Sequence, residues 1–290
     1  IRRPPRSTQG VSSAASDVYK RQVLPFMDTI AKYLSTELSF FQITWARYFF
    51  TVFWTFPFMF IFFRKKLTWS ENPKLQILRG LTLFFANICF FYSISVISMA
   101  KALTLAFVAP LVTTALSPIL LNEKVGIKRW LAVIVGFIGS LVVIRPGFIE
   151  FNLATTAALG TGFFYGVYLI ITRKLHTSDN PLLTLLLTGI VGLTISTVFV
   201  PIVWINPTNI QWLWLSIMGI FACLGHILLI YSLRYADASK LAPFGYFEII
   251  TNIILGYYFF KDFPDLWTFL GLFIIMSSGF YVFKRELMHK

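Results

Sequence analysis

Four ionisable residues stand inside apolar runs: Asp28 in "VLPFMDTIAKYLS", Arg47 in "ITWARYFF", His226 in "GHILLIYSL" and Glu248 in "GYFEIITN". Placing such a group at the centre of a membrane helix costs about 2.5 to 3.5 kcal/mol on insertion scales, so each is a functional candidate by default. Asp28 and Arg47 are nearly equidistant from a turn near residue 37, which predicts similar depth on adjacent antiparallel helices. Two roles are open to them, a structural ion pair or contact with a solute, and Lys32 lies at the i,i+4 position from Asp28. Glu248 has no basic residue within a turn on its own helix. It is a candidate for carrying a proton or meeting a cationic group, against bonding a neighbouring Tyr or Asn. His226 is of the residue type that titrates near neutrality, weighed against a hydrogen-bonded structural histidine.

Polar tips on apolar bodies are the second ingredient of a small-molecule site, and Asn87, Asn252, Tyr92, Tyr165, Tyr168, Tyr231 and Tyr246 supply them within the apolar runs. Pro110, Pro118 and Pro243, with Gly245 and Gly256, interrupt two of those runs, and the backbone groups freed at such breaks can coordinate solute. Catalytic signatures do not appear. The acids fall on different runs without H-E-x-x-H or G-x-S-x-G, and there is no G-x-x-x-x-G-K-[ST] for nucleotide-driven transport. Cys89 and Cys223 lack metal-ligand or disulfide spacing, so neither a metal nor a cofactor is expected.

What positions these residues is a membrane. Hydrophobic residues make up 57% of the 290 and charged ones 13%, and the mean hydropathy of +0.74 departs from soluble averages toward the bilayer. Runs long enough to span it fall at 39–63, 75–97, 102–121, 129–145, 154–172, 181–204, 211–233, 240–260 and 265–283. A shorter run, 23–35, reads as the second half of a truncated first helix. The Arg/Ser/Pro leader before it, 1–22, resembles a translated sequencing adapter, and no function is expected of it. Setting that leader aside, alternate connections hold fifteen Lys and Arg on one side, Arg79 counted among them, against four on the other, which predicts both termini in the cytoplasm. The net charge of +13 therefore reports topology, and nucleic acid is not an expected partner.

Displacing the chain by 139 residues lays Gly80 on Gly219, Tyr92 on Tyr231, Ser93 on Ser232 and Lys101 on Lys240, with Asn87 meeting His226 and Glu123 meeting Asp262. That shift equals five spans. An odd number per copy inverts the second copy in the membrane, so the expected fold is all-α and polytopic: ten transmembrane helices as two inverted five-helix repeats.

The stretches "AKALTLAFVAPLVTTALSPILLNEKVGIKRWLAVIVGFIGSLVVIRPG" and "GHILLIYSLRYADASKLAPFGYFEIITNIILGYYFFKDFPDLWTFLGLFIIMSSGFYVFKRE" resemble the ends of the two EamA-like repeats of drug/metabolite transporters. "MDTIAKYLS" with "ITWARYFF" is similar to that family's first hairpin. The resemblance implies repeats over 23–147 and 148–284, a tail at 285–290, and a central cavity ringed by spans one to four and six to nine, with His226 facing it. It also implies a secondary transporter of a small polar metabolite in a bacterial plasma membrane, working by alternating access and driven by an ion gradient or by exchange. A membrane-embedded enzyme and a lipid scramblase or passive scaffold are the rival classes. Small residues such as Gly136, Gly139, Gly271 and Ser277 allow close helix approach and leave a homodimer open.

Overall fold

The computed structural model describes residues 23–63, 70–121, 125–146, 152–175, 180–235 and 245–288. The expectations placed on the leader 1–22, on Pro243 and on Glu123 fall outside the described residues. Helix α1 runs over residues 23–34. It is followed by α2 (Phe40–Phe63), α3 (Pro73–Val96), α4 (Met99–Ala106), α5 (Ala109–Leu120), α6 (Ile127–Ile144), α7 (Leu153–Leu175) and α8 (Pro181–Phe199). A 3-10 turn at Val200–Val203 leads to α9 (Asn209–Tyr235), α10 (Gly245–Phe260) and α11 (Leu266–Met288).

Short polar side chains mark where these helices begin. Ser98 accepts from the Lys101 N–H at 3.3 Å to start α4, and Asn152 accepts from Ala154 at 2.8 Å to start α7. Asn180 accepts from Leu182 at 3.0 Å ahead of Pro181, which needs no donor partner in the first turn. Two ends close differently: Arg145 after α6 and Lys261 after α10 take left-handed φ values of 55° and 57°. That region is uncommon for residues with a Cβ, and it turns the chain sharply out of each helix.

Among the described residues six helices are long and apolar enough to cross a membrane: Pro73–Val96, Met99–Leu120, Ile127–Ile144, Leu153–Leu175, Pro181–Val203 and Asn209–Ile230. Glu248–Phe260 and Leu266–Val282 are shorter apolar helices. Apolar side chains also cover the outside of the bundle, as with Leu131, Ile134 and Ile138 on α6 and Phe273 and Phe280 on α11. Such a face suits lipid rather than water, where large exposed apolar patches are rare.

Packing is organised about a few pairs. Helix α3 lies against α7, α6 against α11, and α2 against both α8 and α9. The run from Met99 to Leu120 breaks at Phe107 and Val108, because Pro110 has no N–H to donate to the Ala106 carbonyl four residues back. Pro118, by contrast, sits inside α5. The break is pressed against α7 at Gly162, where a Cβ would lie 2.9 Å from the Ala106 carbonyl oxygen and 2.4 Å from Val108 Cγ2. Only a residue without a side chain admits that approach.

Candidate functional site

Helices α1, α2, α3, α7, α9, α10 and α11 and the break between α4 and α5 line a cavity of about 160 Å³. Asp28, Arg47, Asn87, Thr161, Tyr165, His226 and Glu248 are its polar lining, and Phe90, Phe107 and Met276 are among the apolar residues between them. Polar groups converging on an otherwise apolar concavity are the ordinary form of a small-molecule site. Ala106, Phe107, Ala109 and Pro110 also line it, so the broken helix forms part of the wall.

A chain of hydrogen bonds runs from the cavity into the bundle. Arg47 Nη2 lies 2.7 Å from His226 Nε2. An arginine only donates, so Nε2 must be the acceptor, which leaves the imidazole proton on Nδ1. Nδ1 in turn lies 3.3 Å from the Tyr168 hydroxyl. That hydroxyl accepts from Arg79 Nη2 at 2.7 Å, and the Arg79 guanidinium sits 4.5 Å from the Tyr168 ring centroid. The remaining Arg79 donors go to Thr172 Oγ1 at 2.8 Å, the Thr184 carbonyl at 3.3 Å and Thr188 Oγ1. A second, shorter link joins Asn87 Nδ2 to the Tyr48 hydroxyl at 2.6 Å, and Arg47 lies over the Tyr48 ring at 4.9 Å.

The acidic residues lie apart from this chain. Asp28 is 3% exposed; it faces Glu248, Arg47 and the side-chain amide of Asn252. Of the two roles open to Asp28 and Arg47, the direct ion pair is not formed among the described residues, because Arg47 turns its guanidinium to His226 and Tyr48. Lys32, expected to face Asp28 one helical turn away, instead reaches to the end of the bundle. There its ammonium donates to Asp262 Oδ2 at 2.5 Å and to the Ile97 carbonyl at 3.1 Å. Glu248, expected near the middle of a span, lies in the first turn of α10, where the helix N-terminus favours a carboxylate.

The structure thus brings Asp28, Arg47, Asn87, Tyr165, His226 and Glu248 to one cavity, with Tyr168 and Asn252 fully buried close behind. Tyr92 does not join them; its ring packs against Phe40 at 5.2 Å. The side chains of Tyr246 and Tyr231 fall outside the described residues. Arg79 was missed as an interior group, since it is 1% exposed inside α3 rather than in a loop. Its place within the apolar run 75–97 was the signal.

A multi-pass helical bundle around one polar-lined cavity defines a membrane carrier of small molecules. The signature of the EamA-like transporter family matches residues 26–145 and again 152–283, and the chain belongs to that family, with two EamA-type repeats. It is 29% identical over 276 residues to the S-adenosylmethionine uptake transporter of Rickettsia bellii (strain RML369-C), which covers 95% of this chain and 91% of that one. Over 188 residues it is 29% identical to the riboflavin transporter of Vibrio cholerae serotype O1, covering 64% of this chain and 63% of the other. A solved crystal structure with 16% sequence identity superposes with a TM-score of 0.64 over 98% of this chain and 99% of that one, a likeness of fold.

Proposed function

We propose that the protein is a secondary transporter that carries a small metabolite across the bacterial plasma membrane by alternating access, S-adenosylmethionine and riboflavin being the compounds its relatives are named for. The observation that carries this is the cavity itself, walled by helices from both family matches and lined by Asp28, Arg47, His226 and Glu248 within an apolar bundle. Ten spans in two inverted quintets, divided near residues 147–148 and with both termini cytoplasmic, complete the reading. The helix contacts support it. With α4 and α5 counted as one broken span, the second span packs on the eighth as the seventh packs on the third, while the second and seventh, and the fifth and tenth, pack on each other. Such reciprocity is what a two-fold axis in the membrane plane produces. The fifteen-to-four distribution of basic residues supports the orientation.

Counterflow in liposomes tests the function. Vesicles holding the purified chain and unlabelled S-adenosylmethionine, or riboflavin, should accumulate the labelled compound from outside, saturably and chemically unchanged. Flux that never saturates, or that equals empty vesicles for every metabolite offered, would overturn it.

A further inference from the structure

The chain Arg47–His226–Tyr168–Arg79 has a fixed end and a movable one. Arg79 donates to Thr172, Thr184, Thr188 and Tyr168, and its guanidinium lies over the Tyr168 ring. Tyr168 is thereby held in place, and with it the Nδ1 side of the His226 imidazole. Arg47 is held less completely. Its Nη2 donates to His226 Nε2 at 2.7 Å and its guanidinium lies over the Tyr48 ring. Its buried Nε, however, has no acceptor among the described residues, and a buried donor left unmet is costly. The hold on Nη2 also carries a condition. An imidazole accepts at Nε2 only while it is neutral; a proton there removes the lone pair and sets two cations against each other. The charged and titratable groups around His226 are Arg47 from α2, Tyr165 and Tyr168 from α7, and Arg79 from α3 behind Tyr168, with Asp28 from α1 and Glu248 from α10 in the same cavity. Arg47 is near enough to Asp28 for their charges to interact.

We infer that His226 is the positioning residue for Arg47, and that a proton on His226 moves the guanidinium from the imidazole to the carboxyl pair Asp28 and Glu248, resetting the charge pattern of the cavity. This rests on the transport function proposed above and names how its site is regulated. One proton from the aqueous side of the cavity takes the Nε2 lone pair that Arg47 vacates, and Nδ1 keeps its own proton toward Tyr168. The imidazole gains one positive charge. The charge of Arg47 is displaced, not lost, and its Nε then has a carboxylate oxygen to meet. The Arg79 end stays as it is, so the motion is confined to the side chain that lines the cavity.

Solid-state NMR of the isotope-labelled full chain in lipid tests it, with His226 read alone once His176→Gln and His289→Gln remove the other two histidines. At alkaline pH Nε2 should carry no proton and should correlate with Arg47 Nη2. In acid both ring nitrogens should be protonated, that correlation should vanish, and one from Arg47 to a side-chain carboxyl carbon of Asp28 or Glu248 should replace it. Counterflow gives the functional arm. Flux through the unsubstituted chain should change about threefold or more between about pH 5.5 and 8. In His226→Gln it should be flat over that range, because the amide oxygen still accepts from Arg47 but takes up no proton. An Nε2–H tautomer at alkaline pH, an Arg47–His226 correlation that survives a doubly protonated ring, or a ring that does not titrate between about pH 5 and 8.5 would each overturn the switch. So would an unchanged pH response in a folded His226→Gln. If no metabolite is carried at any pH, the transport function falls, while the NMR titration still decides the switch.

Discussion

The Lys32 ammonium and an Asp262 carboxylate oxygen meet 2.5 Å apart across 230 positions of sequence. One lies in the first family match and the other in the second, and the same ammonium also holds the Ile97 carbonyl at the α3–α4 connection. Two connections, α3–α4 and α10–α11, are therefore tied to the end of α1 through a single side chain. The side chains are 15% and 31% exposed, so water screens the pair only in part.

Breaking this tie should favour conformations open at that end. A cysteine placed at Met27, in a background without Cys89 and Cys223, should react with a membrane-impermeant maleimide about two- to fivefold faster in Lys32→Gln or Asp262→Asn, the size expected from a partly exposed ion pair. The charge-exchanged double variant, Lys32→Asp with Asp262→Lys, should return to the original rate. Unchanged labelling in both single variants would show that the pair does not hold that end shut.

A second ion pair at the same end gives a pH dependence. Asp265 precedes α11, outside the span, and lies 2.5 Å from Arg145 Nη2. Burial alone raises its carboxyl, but the Thr268 hydroxyl and N–H bonds and the charges of Arg145 and Lys101 outweigh it and hold the group below its ordinary value. A carboxyl lowered in the folded state contributes stability above its unfolded pKa and loses it as pH falls through the folded one. Asp265→Asn should thus lower Tm near neutral pH, and the gap from the unsubstituted chain should shrink on acidification below the ordinary carboxylate range. A gap that is constant or widens in acid would contradict it.

Arg79 should be a stability residue rather than a replaceable charge. Its donors reach Thr172, Thr184, Thr188 and Tyr168, and Arg79→Ala leaves those buried oxygens without it, a loss of about 3 kcal/mol or more. Arg79→Lys should rescue little, because an ammonium cannot reproduce the planar fork. Thermal unfolding in detergent reads both variants, and near-normal Tm in Arg79→Lys would show that charge alone suffices.

Gly162→Ala should cost about 1 to 3 kcal/mol through overpacking. The new methyl would fall 2.9 Å from a main-chain oxygen, which cannot rotate away as a side chain can. A lowered Tm with reduced counterflow is expected, and wild-type stability would mean that α7 and the broken helix separate freely.

Membership of the interior was partly legible in the sequence, and rotation about each helix was not. Asp28 and Arg47 stood out as ionisable groups inside apolar runs, and both line the cavity. Which way each side chain points was another matter. Helices apolar on every face give no stripe to fix their rotation, so His226 as the partner of Arg47, and Lys32 turning from Asp28 to Asp262, had no sequence counterpart. Arg79 shows the same limit. Basic residues near span ends were read as facing water, yet in α3 four neutral oxygens supplied by α7 and α8 receive the guanidinium inside. The break before Pro110 was legible because a missing N–H acts locally, whatever packs around it.

That break forms part of the chamber wall. Side chains such as Asn87 or Tyr165 can be exchanged one at a time to retune what fits. The bend at 107–108 cannot, since it follows from an imino nitrogen on one strut and the lack of any methyl on its neighbour at 162. Divergence of preference between carriers built this way should therefore accumulate in the removable groups around a fixed elbow.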